Sequence, residues 1–167
     1  RFGAGFTGIP FTDTKRLTLE CGLDYSGPQT HEPSSVFVYE VIKKYGGPVR
    51  FYGDFYINSV CPLGFTKTGP GGKEINYNYY DSSELMNAML DFIVESIRIQ
   101  VEFGIAADVC FCFGTGKNEK FLRTLNERHG FFKKIIALEH PRYVMQYKSR
   151  SKHDYISKYI NALSQTP

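Results

Sequence analysis

Apolar positions along the chain change period several times, and the changes outline an alternation of helices and strands. The stretch Val36-Phe37-Val38-Tyr39-Glu40-Val41-Ile42 reads as a helix capped by Ser34 or Ser35 and stopped by Gly46-Gly47-Pro48. Phe51 to Val60 reads as a strand, with Phe51, Phe55, Ile57 and Val60 among its apolar members. A long helix follows from Glu84 to Phe103, capped by Ser82 or Ser83 and ended by Gly104. Its Leu85, Met89, Phe92, Ile93 and Ile97 recur at three- and four-residue spacings, which is the stripe of a core-facing helix. Ala106–Phe113 is the next strand, and Glu119–Arg128 the next helix, capped by Asn118 and closed by Gly130. Ile135 to Leu138 is short, apolar and branched, as a buried strand is. A last helix runs from Lys152 to Leu163 behind a capping-box pattern, Ser151-x-x-Asp154, with Tyr155, Ile156, Tyr159 and Ile160 facing inward.

Between these lie segments without period. Arg1–Phe11 holds three glycines and a proline and reads as a loop, with Phe2 and Phe6 tucked into the core. Leu17–Gln29 reads as a short helix and loop, and Thr66–Tyr80 as a polar, Gly-rich loop that either lies along a DNA backbone or is a plain surface excursion. The alternation predicts an α/β fold: a three-layer α/β/α sandwich around a mainly parallel sheet covered on both faces. One domain over residues 1–167 is expected. Because the chain opens at Arg1 with neither Met nor a signal-peptide pattern, an upstream part supplying a further strand and helix is expected too.

Composition narrows the partners only locally. Lys and Arg number 20 against 17 Asp and Glu, a net +3, so no general polycation is implied. The positive charge gathers after His140: Arg142, Lys148, Arg150 and Lys152 come without an acidic residue among them. No run of about eighteen apolar residues exists, so no membrane partner is expected. Cys21, Cys61, Cys110 and Cys112 form no C-x-x-C pair and read as buried reduced thiols of a cytoplasmic protein, not as a disulfide, zinc or iron–sulfur set. Gly114-Thr115-Gly116-Lys117 invites a phosphate-loop reading, but Phe111 and Asn118 stand where that motif needs Gly and Ser or Thr. No cofactor and no metal are expected.

The chemistry concentrates where the Ile135–Leu138 strand ends. His140 sits at that point, and Pro141 cannot continue a central strand because it has no N–H to donate. Ligands of open parallel sheets bind at strand C-termini. The loop that follows mixes the cations with Tyr143, Met145 and Tyr147, a combination that suits phosphates and bases. A lone His-Pro pair is more often structural, so the functional reading needs support elsewhere in the chain.

That support comes from a resemblance. Phe2-Gly3 and Thr7-Gly8-Ile9-Pro10-Phe11 resemble the first motif of the uracil-DNA glycosylase superfamily, closest to its single-strand-selective monofunctional branch in bacterial form. That branch carries Asn-Pro-Gly, a Phe-Gly loop, then Thr-Gly-(Val/Ile)-Pro-Phe; the Asn-Pro-Gly would lie just before Arg1. His140-Pro141 resembles its second motif, and Asn58-Ser59-Val60-Cys61-Pro62-Leu63 its Asn-x-x-Pro-Leu-like segment. The likeness spans nearly the whole chain.

The resemblance implies a glycosylase of base excision repair that flips uracil, or a related deaminated or oxidised base, out of single- or double-stranded DNA and hydrolyses its glycosidic bond. It implies His140 as catalytic donor, Phe11 stacked on the base, Asn58 reading its Watson–Crick edge, and Gly3 in the base-binding loop. The water-positioning group would be the Asn upstream of Arg1. After His140-Pro141 the branch continues Ser-Pro-Arg-Asn, whereas this chain has Arg142-Tyr143-Val144-Met145-Gln146-Tyr147. The wedge therefore rests on composition alone: Tyr143, Met145 or Tyr147 fills the stack while Arg142 and Lys148 hold phosphates. A monomer acting on DNA in a bacterial cytoplasm is the expectation. Two alternatives stay open: a non-catalytic DNA-damage-binding module of the same fold, and an unrelated α/β enzyme acting on free nucleosides.

Overall fold

A computed structural model gives the structure and describes residues 4–165. The chain divides into two compact units, one of residues 1–58 with 138–167 and one of residues 59–137. Phe2, expected in the core, and Gly3, expected in the base-binding loop, lie outside the described residues.

The first unit is built on α3 (Pro33–Tyr45), whose Phe37, Val38, Tyr39, Val41 and Ile42 are all buried. Around it pack α2 (Thr14–Cys21), α4 (Pro48–Asp54), α7 (Pro141–Tyr147) and α8 (Lys152–Leu163), while the single turn α1 (Ala4–Thr7) leads into α2. The cap expected at Ser34 or Ser35 lies earlier in the chain: Glu32 is the N-cap, Pro33 takes the first helical position, and both serines are buried inside the helix. Proline suits that position because its missing N–H would have had no helical partner.

The strand expected over Phe51–Val60 is corrected. Residues 48–54 are helical, Phe55 is the C-cap, and Tyr56 to Asn58 run on without a ladder. The aromatic spacing explains the misreading, since Phe51 and Phe55 are four apart and both meet the ring of Tyr45, at 5.8 and 5.3 Å between centroids. The loop expected after Pro141 is likewise a helix, α7, begun by Pro141 at its first position, with Pro141 and Val144 buried. The capping box expected before α8 does not form, because the Ser151 side chain makes no cap bond. Inside α8 the expected inward face is present: Ile156 and Tyr159 are buried, Tyr155 and Ile160 half-buried. Phe6, expected inside, is exposed.

The second unit holds the regular sheet. Strands β3 (Val109–Phe113) and β4 (Lys134–Leu138) are joined through helix α6 (Lys117–His129). Leading into them, Lys133 N–H donates to Ala107 O and Lys134 N–H to Asp108 O, both at 3.0 Å. The partners advance together along both segments, so the pair is parallel, as a helical crossover requires. The α/β class read from the sequence is the class the chain adopts. Helix α5 (Ser83–Glu102) is capped by Ser82, whose side chain accepts from Leu85 N–H. Its Ile93 and Ile97 join Cys61, Tyr79, Cys112, Leu122, Leu125 and Ile135 in the core. Phe92, expected in that stripe, is 42% exposed.

Asn118 is not the cap of α6; Gly116 is, and Asn118 Oδ1 instead accepts the hydroxyl of buried Tyr79 at 2.6 Å. At the far end Gly130 closes the helix in the left-handed conformation, φ 64°. The segment 66–80, expected as a loop, contains a hairpin of β1 (Phe65–Thr68) and β2 (Glu74–Tyr77), paired antiparallel with Phe65 opposite Tyr77. The connection falls at Gly71 and Gly72, which take the positive φ values, 70° and 75°, that a tight turn demands. The four cysteines are free thiols, Cys61 and Cys112 buried and Cys21 and Cys110 half-buried. Among the described residues no helix is long and apolar enough to cross a membrane, and no cluster could hold a metal ion.

Candidate active site

The approach to His140 is fixed from α8. Tyr159 donates its hydroxyl to the carbonyl of Glu139, and Lys158 Nζ pairs with Glu139 Oε1 at 2.7 Å. The Lys158 contact holds the Glu139 carboxyl below its ordinary range against the burial that pushes it up, while Oε2 is buried with no partner. Side chain and backbone of the residue before the histidine are therefore both tied down.

His140 is the N-cap of α7. Its backbone is extended, φ −63° and ψ 134°, and its Nδ1 accepts the N–H of Arg142 at 3.0 Å. Burial, with the Arg142 charge as a second cause, pushes its pKa down from 6.5 to about 4. The ring is thus neutral near pH 7. A nitrogen that accepts a backbone N–H carries no proton, so the remaining proton sits on Nε2 and makes that atom a donor. One cap bond decides the tautomer.

Phe11 lies against this ring, 5.6 Å between centroids and tilted by 58°. Its backbone is unusual: φ is 54°, the only positive value outside glycine among the described residues. Thr12 N–H donates to Ile9 O at 3.2 Å, closing a turn with Pro10 second and Phe11 third. Proline second and a positive φ third are the marks of a type II turn, whose third position normally takes Gly or Asn. An aromatic side chain there costs about 1–2 kcal/mol. Gly8, φ 71°, sets the preceding bend by ending α1.

The other expected site residues are more dispersed. Asn58 is exposed at the end of the extended segment after α4. On α7, Tyr143 and Tyr147 stand one turn apart with centroids 5.6 Å from each other, 42% and 66% exposed, whereas Met145 is half-buried. Arg142 and Lys148 are exposed, and Arg142 lies 3.9 Å from the Glu32 carboxylate. Lys152, counted with the basic stretch, is spent on Glu40 of α3 at 2.6 Å. Thr7, Thr12, Tyr39 and Glu139 were missed from sequence. Only the Asp13 cap of α2, which accepts from Arg16 N–H and Glu32 N–H, had a local signal, an Asp just ahead of a helical pattern.

Comparisons with known proteins identify the family of the chain. The model of the uracil DNA glycosylase superfamily matches residues 2–164. The crystal structure of wild-type SMUG2 from Pedobacter heparinus is 60% identical in sequence, with a TM-score of 0.94, over 98% of this chain and 70% of that one. No curated protein sequence matches. The chain has the uracil-DNA glycosylase fold expected from its sequence, and DNA is its partner. It belongs to the uracil DNA glycosylase superfamily, in the SMUG-like branch, and is a DNA glycosylase.

Proposed function

We propose that this glycosylase is monofunctional and removes uracil, or a closely related deaminated base, by flipping it from DNA onto the face of Phe11. As the glycosidic bond breaks, electrons flow into the base and negative charge builds on the uracil O2. The neutral Nε2–H of His140 is a donor suited to that oxygen, and a neutral donor does not have to surrender a charge to act. Losing one donor of this kind costs roughly 3–4 kcal/mol in transition-state stabilisation. The observation that carries the reading is the apposition of Phe11 and His140, an aromatic surface beside a tautomer-fixed donor.

Asn58 supplies a donor and an acceptor for a pyrimidine edge that shows an N–H beside a carbonyl. Tyr143 and Tyr147, exposed and in contact on one face of α7, are the wedge; half-buried Met145 is the poorer candidate of the three. Arg142 and Lys148 flank them as phosphate holders.

The test is to incubate the full-length protein with a uracil-containing oligonucleotide, treat with alkali and measure free uracil and strand breaks. Stoichiometric uracil release with alkali-dependent breaks is expected. Tight binding to abasic DNA without release would instead indicate a damage-binding module, and turnover of free deoxyuridine without dependence on DNA a nucleoside enzyme.

A further inference from the structure

We infer that Tyr39 and Thr12 form a latch that positions Phe11 for base stacking, making both of them positioning residues of the active site. The inference rests on the reading of Phe11 as the stacking surface. Its starting point is a residue that turn preferences disfavour: an aromatic side chain at φ 54°, in the place where glycine belongs. Such conformations persist only where surrounding contacts over-determine them.

Those contacts are present, and they converge on the residue after Phe11. Thr7 Oγ1 donates to Thr12 O at 2.6 Å and accepts from Ile9 N–H at 3.2 Å, bracing the turn across its mouth. Thr12 is fully buried, and its Oγ1 shares a 3.0 Å hydrogen bond with Tyr39 Oη, a contact 27 residues away in sequence. Tyr39 sits on α3 and is 2% exposed. Its hydroxyl also meets Cys21 Sγ at 3.2 Å on α2, and burial pushes its pKa above the ordinary tyrosine range. The phenol therefore remains a protonated, hydrogen-bonding group at any working pH.

Helix α3 serves the other half of the site as well. It packs against α7, which His140 caps, and against α8, which ties down Glu139. One helix thus references both members of the Phe11–His140 pair: through a hydroxyl on one side and through packing on the other. Small displacements of a stacking surface are expensive, since about 1 Å of misplacement can cost on the order of 100-fold in rate.

The test uses Tyr39→Phe and Thr12→Val in the full chain, with Thr12→Ser as the rescue because it keeps the hydroxyl. Two readouts are taken: kcat and KM on a uracil oligonucleotide, and the ring-current shift that Phe11 imposes on the His140 ring protons, assigned with His140→Gln. Both Tyr39→Phe and Thr12→Val should reduce kcat by roughly 10- to 100-fold with a smaller change in KM, and move the His140 signals toward unshifted values. Thr12→Ser should restore both. Lower thermal midpoints with unchanged kcat and unchanged His140 signals would overturn the latch and leave the contacts merely structural. Should the wild-type protein release no base, the functional reading falls; loss of the ring-current shift in the same variants would still establish the latch. If Thr12→Val does not fold, Tyr39→Phe, which removes one hydroxyl and keeps the ring in the packing, carries the test alone.

Discussion

The two compact units solve the problem of a buried interior differently. In the unit of residues 59–137 the core is mostly apolar: Ile93, Ile97, Leu122, Leu125 and Ile135, with two thiols and Tyr79, whose hydroxyl is satisfied by Asn118. The unit of residues 1–58 and 138–167 contains every buried hydroxyl-bearing or charged residue outside the tyrosines that is recorded among the described residues: Thr12, Asp13, Thr14, Ser34 and Ser35. Apolar packing tolerates exchange of similar volumes, whereas a buried hydrogen-bond network admits few arrangements and loses stability steeply when one partner goes. The polar interior lies next in sequence to Phe11 and around the start of α3, so geometric precision is concentrated in the unit that also holds His140.

The sharpest way to break this contrast is His140→Ala. It should lower kcat/KM on uracil DNA by roughly 100- to 1000-fold, the effect of one lost transition-state donor, with the fold intact by circular dichroism. Turnover near that of the wild type would remove His140 from the chemistry. Next is pH. In the folded chain His140 stays neutral down to about 4, while the unfolded chain protonates it near 6.5. Between those values the unfolded state binds the extra proton, so stability is flat above pH 6.5 and falls as pH drops, by at most about 3 kcal/mol at pH 4. Urea titrations of wild type and His140→Gln across that window should diverge; superimposable curves would assign the acid sensitivity to other groups.

Smaller effects sharpen the other side. Ile93→Val in the apolar core should cost about 1 kcal/mol of stability and leave kcat/KM per folded molecule unchanged, as read from denaturant midpoints beside initial rates. Smallest is Lys148→Ala. It should weaken single- and double-stranded substrates alike and flatten the dependence of log K on log salt by roughly one unit of slope. An unchanged slope would take Lys148 off the phosphate backbone.

Much of the fold was legible because long periodic segments leave little choice. The α5 helix with its Ser82 cap, α6 with its Gly130 end, and α8 follow from three- and four-residue spacings. The two helices that the sequence reading does not give, α4 and α7, share a cause, which is that proline and aromatics are read there for what they end. Pro48 and Pro141 each begin a helix, and the 51/55 aromatic pair is a helical ridge around Tyr45. At the candidate site Phe11 and His140 were legible through motif resemblance, and the structure sets them side by side. The supporting shell was not. Thr12 reaches Tyr39 and Tyr159 reaches Glu139 across folds of the chain that no local pattern announces.

The strained turn at Phe11 carries a consequence for selection. Glycine is the residue that a type II turn asks for at this position, so Phe11→Gly relieves the backbone while deleting the ring. A library randomised at position 11 and sorted for heat resistance alone should drift toward Gly or Asn. Sorted for base release, the same library should return to Phe or another flat ring. Stability and activity pull this one codon in opposite directions, and which residue occupies it in any related chain reports which of the two that chain has been kept for.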